Sequence, residues 1–479
     1  MVTIGARHAV PAFHGLAGVV VGDVTPPVGI RARNWGPATW DAATGVHRPM
    51  VLTAVALADE DAPRDPVVMV GVDATWWRRV DDERRCRDHV LQASGLSPER
   101  LLISLSHTHA GPVICSADRD LPGGEHLDVY LGELARTIAD AVRRAIAALA
   151  PAVLEWAHSR CDLASNRELL LEDGCGAGPR PVVGYNPVTD DPADDTVLVG
   201  RLSGLASDGT ASPLATIVNY ACHPTTLAWQ NSLISPDWVA GMRELVEEST
   251  GAPLAFVQGA SGELAPRQQY VGDTAVAEQH GRQVGHAVLS ALESLPPVGT
   301  DLELTGVVES GAPLAIWEPR SRTEASSLRT VQVLNEAVEL DLQPLPGLDE
   351  LAEQWADIDP RSREERLQRA RNLRDDYVLG PTVQHPVWAW RIGTALLIAH
   401  PGEAYSRLQR TVRHHVGDFP VLVANLTNGP GFVYLPTQQA YEVNAYQAWQ
   451  TPLAPGSLER LEAHASTLLD RLIGTEVTR

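Results

Sequence analysis

Leu101-Leu102-Ile103-Ser104-Leu105 runs directly into Ser106-His107-Thr108-His109-Ala110-Gly111-Pro112. The apolar run reads as a buried strand, short and closed by a Gly-Pro turn. Side chains two positions apart on a strand share a face, so His107 and His109 are expected to point into one site. Imidazole is the usual nitrogen ligand of zinc, and two on one strand rim suggest a metal-centred hydrolase. For this segment alone, a hydrogen-bonded histidine pair at a strand end is the plainer reading.

Three further apolar runs end the same way. Ala215 to Cys222 stops at His223-Pro224, Pro253 to Gln258 leads into Gly259-Ala260-Ser261-Gly262-Glu263, and Thr394 to Ala399 ends at His400-Pro401-Gly402-Glu403. Proline after the histidine halts the ladder, and glycines let backbone approach a ligand closely. Open α/β sheets bind ligands beyond the carboxyl ends of their strands, where these residues are expected to sit.

Around these runs, strands are expected within 15–27, where Leu16 to Val21 is apolar, and near 66–73, 197–203 and 215–221. Helices are expected over 79–95, 126–149, 275–294, 457–473 and after Asp237, which reads as a helix N-cap and not a ligand. The alternation predicts an α/β fold, a layered mixed sheet core flanked by helices, with the metal site at the strand ends. Residues 1–479 read as a single catalytic domain with a helical surface insertion around 345–380. Residues 172–196 read as a loop, either a solvated acidic turn or a lid. No internal repeat is visible.

The chain has 479 residues and a formal net charge of −22, and all 38 of its basic residues are arginine. An acidic surface repels phosphate backbones and anionic lipid, which excludes nucleic acid as the expected partner. No apolar run approaches the ~20 residues of a membrane span, so no integral membrane segment is expected. Five cysteines, odd in number and without C-x-x-C spacing, suit a reducing compartment, and the cytoplasm is the expected location. Cys115 and Cys222 read as core packing. His400, His414 and His415 carry no spacing argument. Association into a homo-oligomer is left open.

In sequence order, Asp23-Val24-Thr25-Pro26-Pro27, the His107 segment, Ser165-Asn166-Arg167, Cys222-His223-Pro224-Thr225, Gly259 to Arg267, Pro401-Gly402-Glu403 and Tyr434 to Tyr446 span nearly the whole chain. Together they resemble the catalytic domain of the neutral/alkaline non-lysosomal ceramidases, a family of zinc-dependent amidases. The resemblance implies Zn2+ as cofactor, with His107, His223, Glu403 and Tyr446 as its ligands. It places His109 and Arg167 against the substrate carbonyl, and Glu263 where the family has an aspartate proposed as general base. The family's Gly-Asp-Val-Ser-Pro reads Gly262-Glu263-Leu264-Ala265-Pro266 here, so no serine is available to attack at that point. The family's secreted members carry a further C-terminal immunoglobulin-like domain, which this sequence is expected to lack, together with an export signal.

The expected function is a zinc-dependent hydrolase. A metal-bound water, with its pKa lowered to about 7, attacks the amide or related C–N or ester carbonyl of a small soluble substrate. Glu263 is expected to take the proton, with His109 and Arg167 stabilising the oxyanion. A ceramidase or N-acyl-amine amidase acting on lipid is the alternative. A non-catalytic metal-bearing binding protein is a third.

Overall fold

All six residues of the strand Val67–Val72 are buried. A strand apolar on both faces needs cover on both. Val68, Val70 and Val72 pack toward the helices Val80–Ser94 and Leu127–Ala147, in a cluster with Val90, Leu134 and Ile138. Val67 and Met69 pack the other way, against Trp388, Trp390 and Leu397 of a second sheet. The strand Val421–Ala424 divides likewise: Leu422 and Ala424 join this central cluster, while Val421 and Val423 face the helices Arg407–Val416 and Ser457–Gly474. The result is four layers, helix–sheet–sheet–helix, and the expected mixed α/β core is present as two sheets instead of one. The computed structural model describes residues 1–172, 179–323, 325–376, 380–430 and 433–474.

One topological unit, used three times, builds both sheets. It comprises three antiparallel strands, a helix, a fourth strand parallel to the third, and a closing helix. The first unit has strands Ala12–Asp23, Val51–Ala58, Val67–Val72 and Leu101–Leu105. In the second unit they are Ala150–Arg160, Thr196–Leu205, Ala211–Tyr220 and Leu254–Gln258. The third has Val331–Asp341, Thr382–Ile392, Ala395–Ala399 and Val421–Ala424. Antiparallel pairing of Ala12–Asp23 with Ala150–Arg160 joins the first two units into an eight-stranded sheet, and the third unit forms the four-stranded one. The sequence shows no repeat, but the hydrogen-bond pattern has one.

This topology locates the site. Within each unit the first, third and fourth strands run the same way, so the connections leaving them emerge at one end. His107 and His109 follow a fourth strand, His223 and Glu403 follow third strands, and Arg167 lies between a first and a second strand.

Close helix contact holds the second unit together. The helices Trp238–Thr250 and Thr274–Glu293 approach so tightly that a β-carbon on Gly281 would lie 2.3 Å from the Trp238 carbonyl oxygen. Asp237 caps the first of these helices, accepting from the Trp238 amide at 2.7 Å.

The 345–380 segment leaves the hairpin whose last pair is Asp341–Thr382. It forms the helices Leu348–Gln354 and Pro360–Asp376, broken at Asp359-Pro360. The second helix docks on the first unit, with the Arg361 carbonyl accepting from Arg33 at 2.7 Å and Arg361 Nε donating to the Ala38 carbonyl at 2.9 Å. Within the expected 172–196 loop, Arg180–Val183 pairs as a strand with Glu168–Leu171, and residues 173–178 lie outside the described residues. Cys86, Cys115, Cys161 and Cys222 are free and buried. No helix among the described residues is long and apolar enough to cross a membrane.

Candidate metal centre

The strand leading to His107 ends at Leu105, and His107 itself has φ 66°, in the left-handed region. The expected alternation of His107 and His109 on a continuing strand is therefore replaced by a turn. The two rings still meet, with Nε2 atoms 3.4 Å apart, because the turn folds His109 back toward the strand end. His107 Nδ1 lies 3.3 Å from the Thr75 carbonyl oxygen, and its Nε2 lies 3.2 Å from Glu403 Oε2. His223 repeats the pattern from the second unit. Its Nδ1 lies 2.7 Å from the Ser261 carbonyl and 3.0 Å from that of Leu264, and its Nε2 is 3.1 Å from the same Glu403 oxygen. Glu403 is held by a short parallel pairing of Glu403–Ala404 with Tyr434–Leu435.

A neutral imidazole has one N–H. Donated from Nδ1 to a backbone carbonyl, it leaves Nε2 as a bare lone pair, a tautomer assigned from the hydrogen bonding. Two such lone pairs then face a carboxylate oxygen that only accepts, an arrangement that suits a cation among them, and Arg167 Nη2 already lies 3.0 Å from the His223 one. Burial, reinforced by the Arg167 charge, lowers the His223 pKa to about 3, which argues against a proton in that role. Burial opposes the Glu403 charge, but His107 and His223 outweigh it and hold the carboxyl well below its usual range. An ionised carboxylate with neutral imidazoles is the donor set a divalent metal takes.

His109 is the third histidine of the cluster, and donor atoms of His107, His109 and His223 lie within 4.8 Å of one another, so the group could hold a metal ion. Its environment differs from that of the other two. The ring lies between Trp76 and Trp35, at centroid distances of 4.7 and 5.2 Å, and its buried Nδ1 has no hydrogen-bond partner. Metal-bound histidines are usually oriented through the second ring nitrogen, which His107 and His223 have and His109 lacks. Burial, then the neighbouring His107 and His223, pushes its pKa well below the ordinary value.

Arg167 stands beside the cluster. Its Nη2 donates to the Gly262 carbonyl at 2.8 Å and lies 3.0 Å from His223 Nε2 and 3.4 Å from the Tyr434 hydroxyl. Tyr446 is further along, with its hydroxyl 3.1 Å from Arg369 Nη1 and its ring edge-on to Tyr434 at 5.9 Å. Glu263 turns away from the histidines. Both carboxylate oxygens accept from the Ser406 amide at 2.9 Å, and one also accepts from the Ser406 hydroxyl. Burial pushes its pKa up to about 8, against the opposing effect of those hydrogen bonds. Above the cluster, a cavity of about 750 Å³ opens between the 345–380 insertion, the Arg180–Val183 strand and residues 441–450, with Trp76, Arg369 and Tyr446 on its wall.

No protein-family model and no curated protein matches the chain. Solved structures do. A ceramidase complexed with C2 aligns over 97% of this chain and 76% of its own, with TM-score 0.63 at 16% identity. The neutral ceramidase of Pseudomonas aeruginosa aligns over 97% and 75%, with TM-score 0.65 at 16% identity. The chain has a neutral ceramidase-like fold.

On that ceramidase-like frame, His107, His109, His223 and Glu403 come together, with Arg167 adjoining. The residue missing from the sequence reading is Tyr434. Burial raises its pKa well above the ordinary phenol value, and the Glu403 carboxylate, to which it hydrogen-bonds, is the next cause. Tyr434 opens the same segment that Tyr446 closes, and register alone could not choose between them. His400 lies apart, bonded to Asn425 at 2.8 Å and His385 at 3.1 Å. Burial pushes the Cys115 thiol up to about 12 and raises that of Cys222 well above its ordinary value, as for core side chains.

Proposed function

We propose that this chain is a zinc-dependent amidohydrolase acting on a small soluble substrate, cleaving an amide or a related C–N or ester bond. The observation that carries the reading is the pair of imidazole Nε2 atoms within 3.2 Å of one Glu403 oxygen, each ring anchored through Nδ1 on a backbone carbonyl. His107, His223 and Glu403 would hold the metal. Of the two tyrosines, the contact with Glu403 favours Tyr434 as the nearer to that shell, and Tyr446 borders the cavity. Zinc bound by such a set supplies Lewis acidity and lowers the pKa of water to about 7.

The chain's own residues would orient the carbonyl and stabilise charge on its oxygen. Arg167 and His109 flank the cluster as hydrogen-bond donors, and loss of one donor of this kind typically costs ~3 kcal/mol of barrier. Glu263 works through the 261–264 turn. By gripping Ser406 it fixes the carbonyls that orient His223 and Arg167, which makes it a positioning residue. A direct role as base requires its carboxylate to leave Ser406.

Residues 1–479 form one catalytic domain in this reading. The free buried cysteines favour a reducing compartment, the cytoplasm. Ceramide as substrate has the likeness of fold behind it, but a cavity walled by several arginines is a poor host for two alkyl chains. Retention of His109 and Arg167 beside the metal donors favours turnover over mere metal binding. Chelation should abolish hydrolysis across a panel of N-acyl amino acids, lactams, simple esters and N-acyl sphingosines, and zinc should restore it. Hydrolysis that survives complete metal removal would refute the reading.

A further inference from the structure

Five arginines line the cavity above the histidines, Arg78, Arg180, Arg366, Arg369 and Arg374, and among the described residues no aspartate or glutamate does. The chain as a whole has 60 acidic residues against 38 arginines, so this wall runs against the molecule's own charge. Three of the guanidinium groups have internal partners. Arg78 donates to Asn34 and stands 3.8 Å from Asp118, Arg369 is paired with Glu365, and Arg374 donates to the carbonyls of Ala370 and Pro346. Arg180 and Arg366 have none among the described residues, and no carboxylate meets Arg366. Its guanidinium instead lies over the rings of Trp355 and Trp449, 5.6 and 5.2 Å from their centroids. Cation–π contact holds such a side chain in place while leaving its N–H fork for a ligand.

The cavity and the cluster share a wall. Arg369 meets the Tyr446 hydroxyl and lies over Trp76 at 5.5 Å, and Trp76 in turn packs on His109 at 4.7 Å. Trp76, Arg369 and Tyr446 thus border the cavity that holds Arg366, and Trp76 also borders the histidines.

We propose that the cavity binds the carboxylate of an N-acyl amino acid-like substrate, with Arg366 as its anchor and Trp355 and Trp449 packing beside it. This deepens the amidohydrolase reading and rests on it for the bond cleaved. Hydrolysis breaks the amide C–N bond. Water gives its hydroxyl to the acyl carbon and a proton to the nitrogen, releasing a carboxylic acid and an amine. A carboxylate fits because its two oxygens match one planar guanidinium fork.

The test is calorimetric binding to the metal-loaded protein of 4-phenylbutanoate, its uncharged amide 4-phenylbutanamide, and 3-phenylpropylphosphonate. The acid should bind at least about tenfold more tightly than the amide, and Arg366→Gln should erase that preference, as expected for loss of one charged hydrogen-bonded pair. Where the glutamine variant fails to fold, Arg366→Lys keeps the charge and loses the fork, and should cut the preference about threefold. Equal binding of acid and amide, a preference untouched by either variant (as when the acid sits on the metal), or tighter binding of the phosphonate overturns the proposal. A preference that depends on Arg366 without any hydrolysis of N-benzoylglycine would count against the amidohydrolase reading alone.

Discussion

His107 holds a backbone conformation, φ 66°, that a β-carbon disfavours by roughly 1–2 kcal/mol. The turn it makes brings its ring onto Glu403, so strain and site coincide at one residue. The histidines were legible from sequence because an apolar run stopping at histidine is a local signal. The direction of Glu263 was not, since its partner Ser406 lies 143 residues away in the third unit. That contact has a pH signature. Glu263 binds its proton more tightly when folded, with a pKa near 8 against 4.5 for the free side chain, so its contribution is complete below about 4.5 and is lost as pH rises through 8. Denaturant melts of the wild type should lose stability across that window, and Glu263→Gln should flatten the slope; an unchanged slope would show that the carboxyl is not buried in this way. Arg167→Lys keeps the charge but loses the planar guanidinium whose Nη2 meets Gly262, His223 and Tyr434. It should lower kcat by about a hundredfold with zinc content retained, and near-normal turnover would remove Arg167 from the reaction.

At the scale of elements, periodicity found the long helices and the apolar strands, because each carries its own pattern of burial. The strand Val331–Asp341 and the helix Arg407–Val416 escaped it. The strand is only partly buried along most of its length, and the helix is short and rich in charged and polar residues. The 345–380 insertion reads as a surface piece from its charge, yet it brings Arg369 and Arg366 to the cavity, since a charged helix can face a polar ligand as readily as solvent. Close packing also gives a direct prediction. Alanine at Gly281 gains about 1 kcal/mol of helix propensity. Its β-carbon would meet backbone of the facing helix, at Trp238 and Met242, which cannot rotate aside. Overpacking of this kind costs about 1–3 kcal/mol, and more where backbone must move. Gly281→Ala should therefore be destabilised by about 2 kcal/mol net in a denaturant melt, and a stabilised variant would contradict the tight helix contact.

Over the whole molecule, three copies of one strand–helix unit place their open ends together, and each contributes to the same centre. The first unit gives His107 and His109, the second gives His223 and Arg167, and the third gives Glu403 and Tyr434. The repeat was invisible in sequence because the units share hydrogen-bond topology and not residues at a fixed period. Loops of very different length separate their strands. A metal gripped by all three units should tie them together. At a thousandfold excess over its dissociation constant, zinc should stabilise the fold by about 4 kcal/mol, and chelation should lower the melting temperature accordingly. The most direct test of the centre is X-ray absorption at the zinc edge of the purified protein. Two imidazole nitrogens at about 2.0–2.1 Å with oxygen completing the shell is the predicted result, and loss of one imidazole in His223→Ala should follow. Folded protein without zinc, or a sulfur neighbour at about 2.3 Å drawn from Cys222, would contradict it.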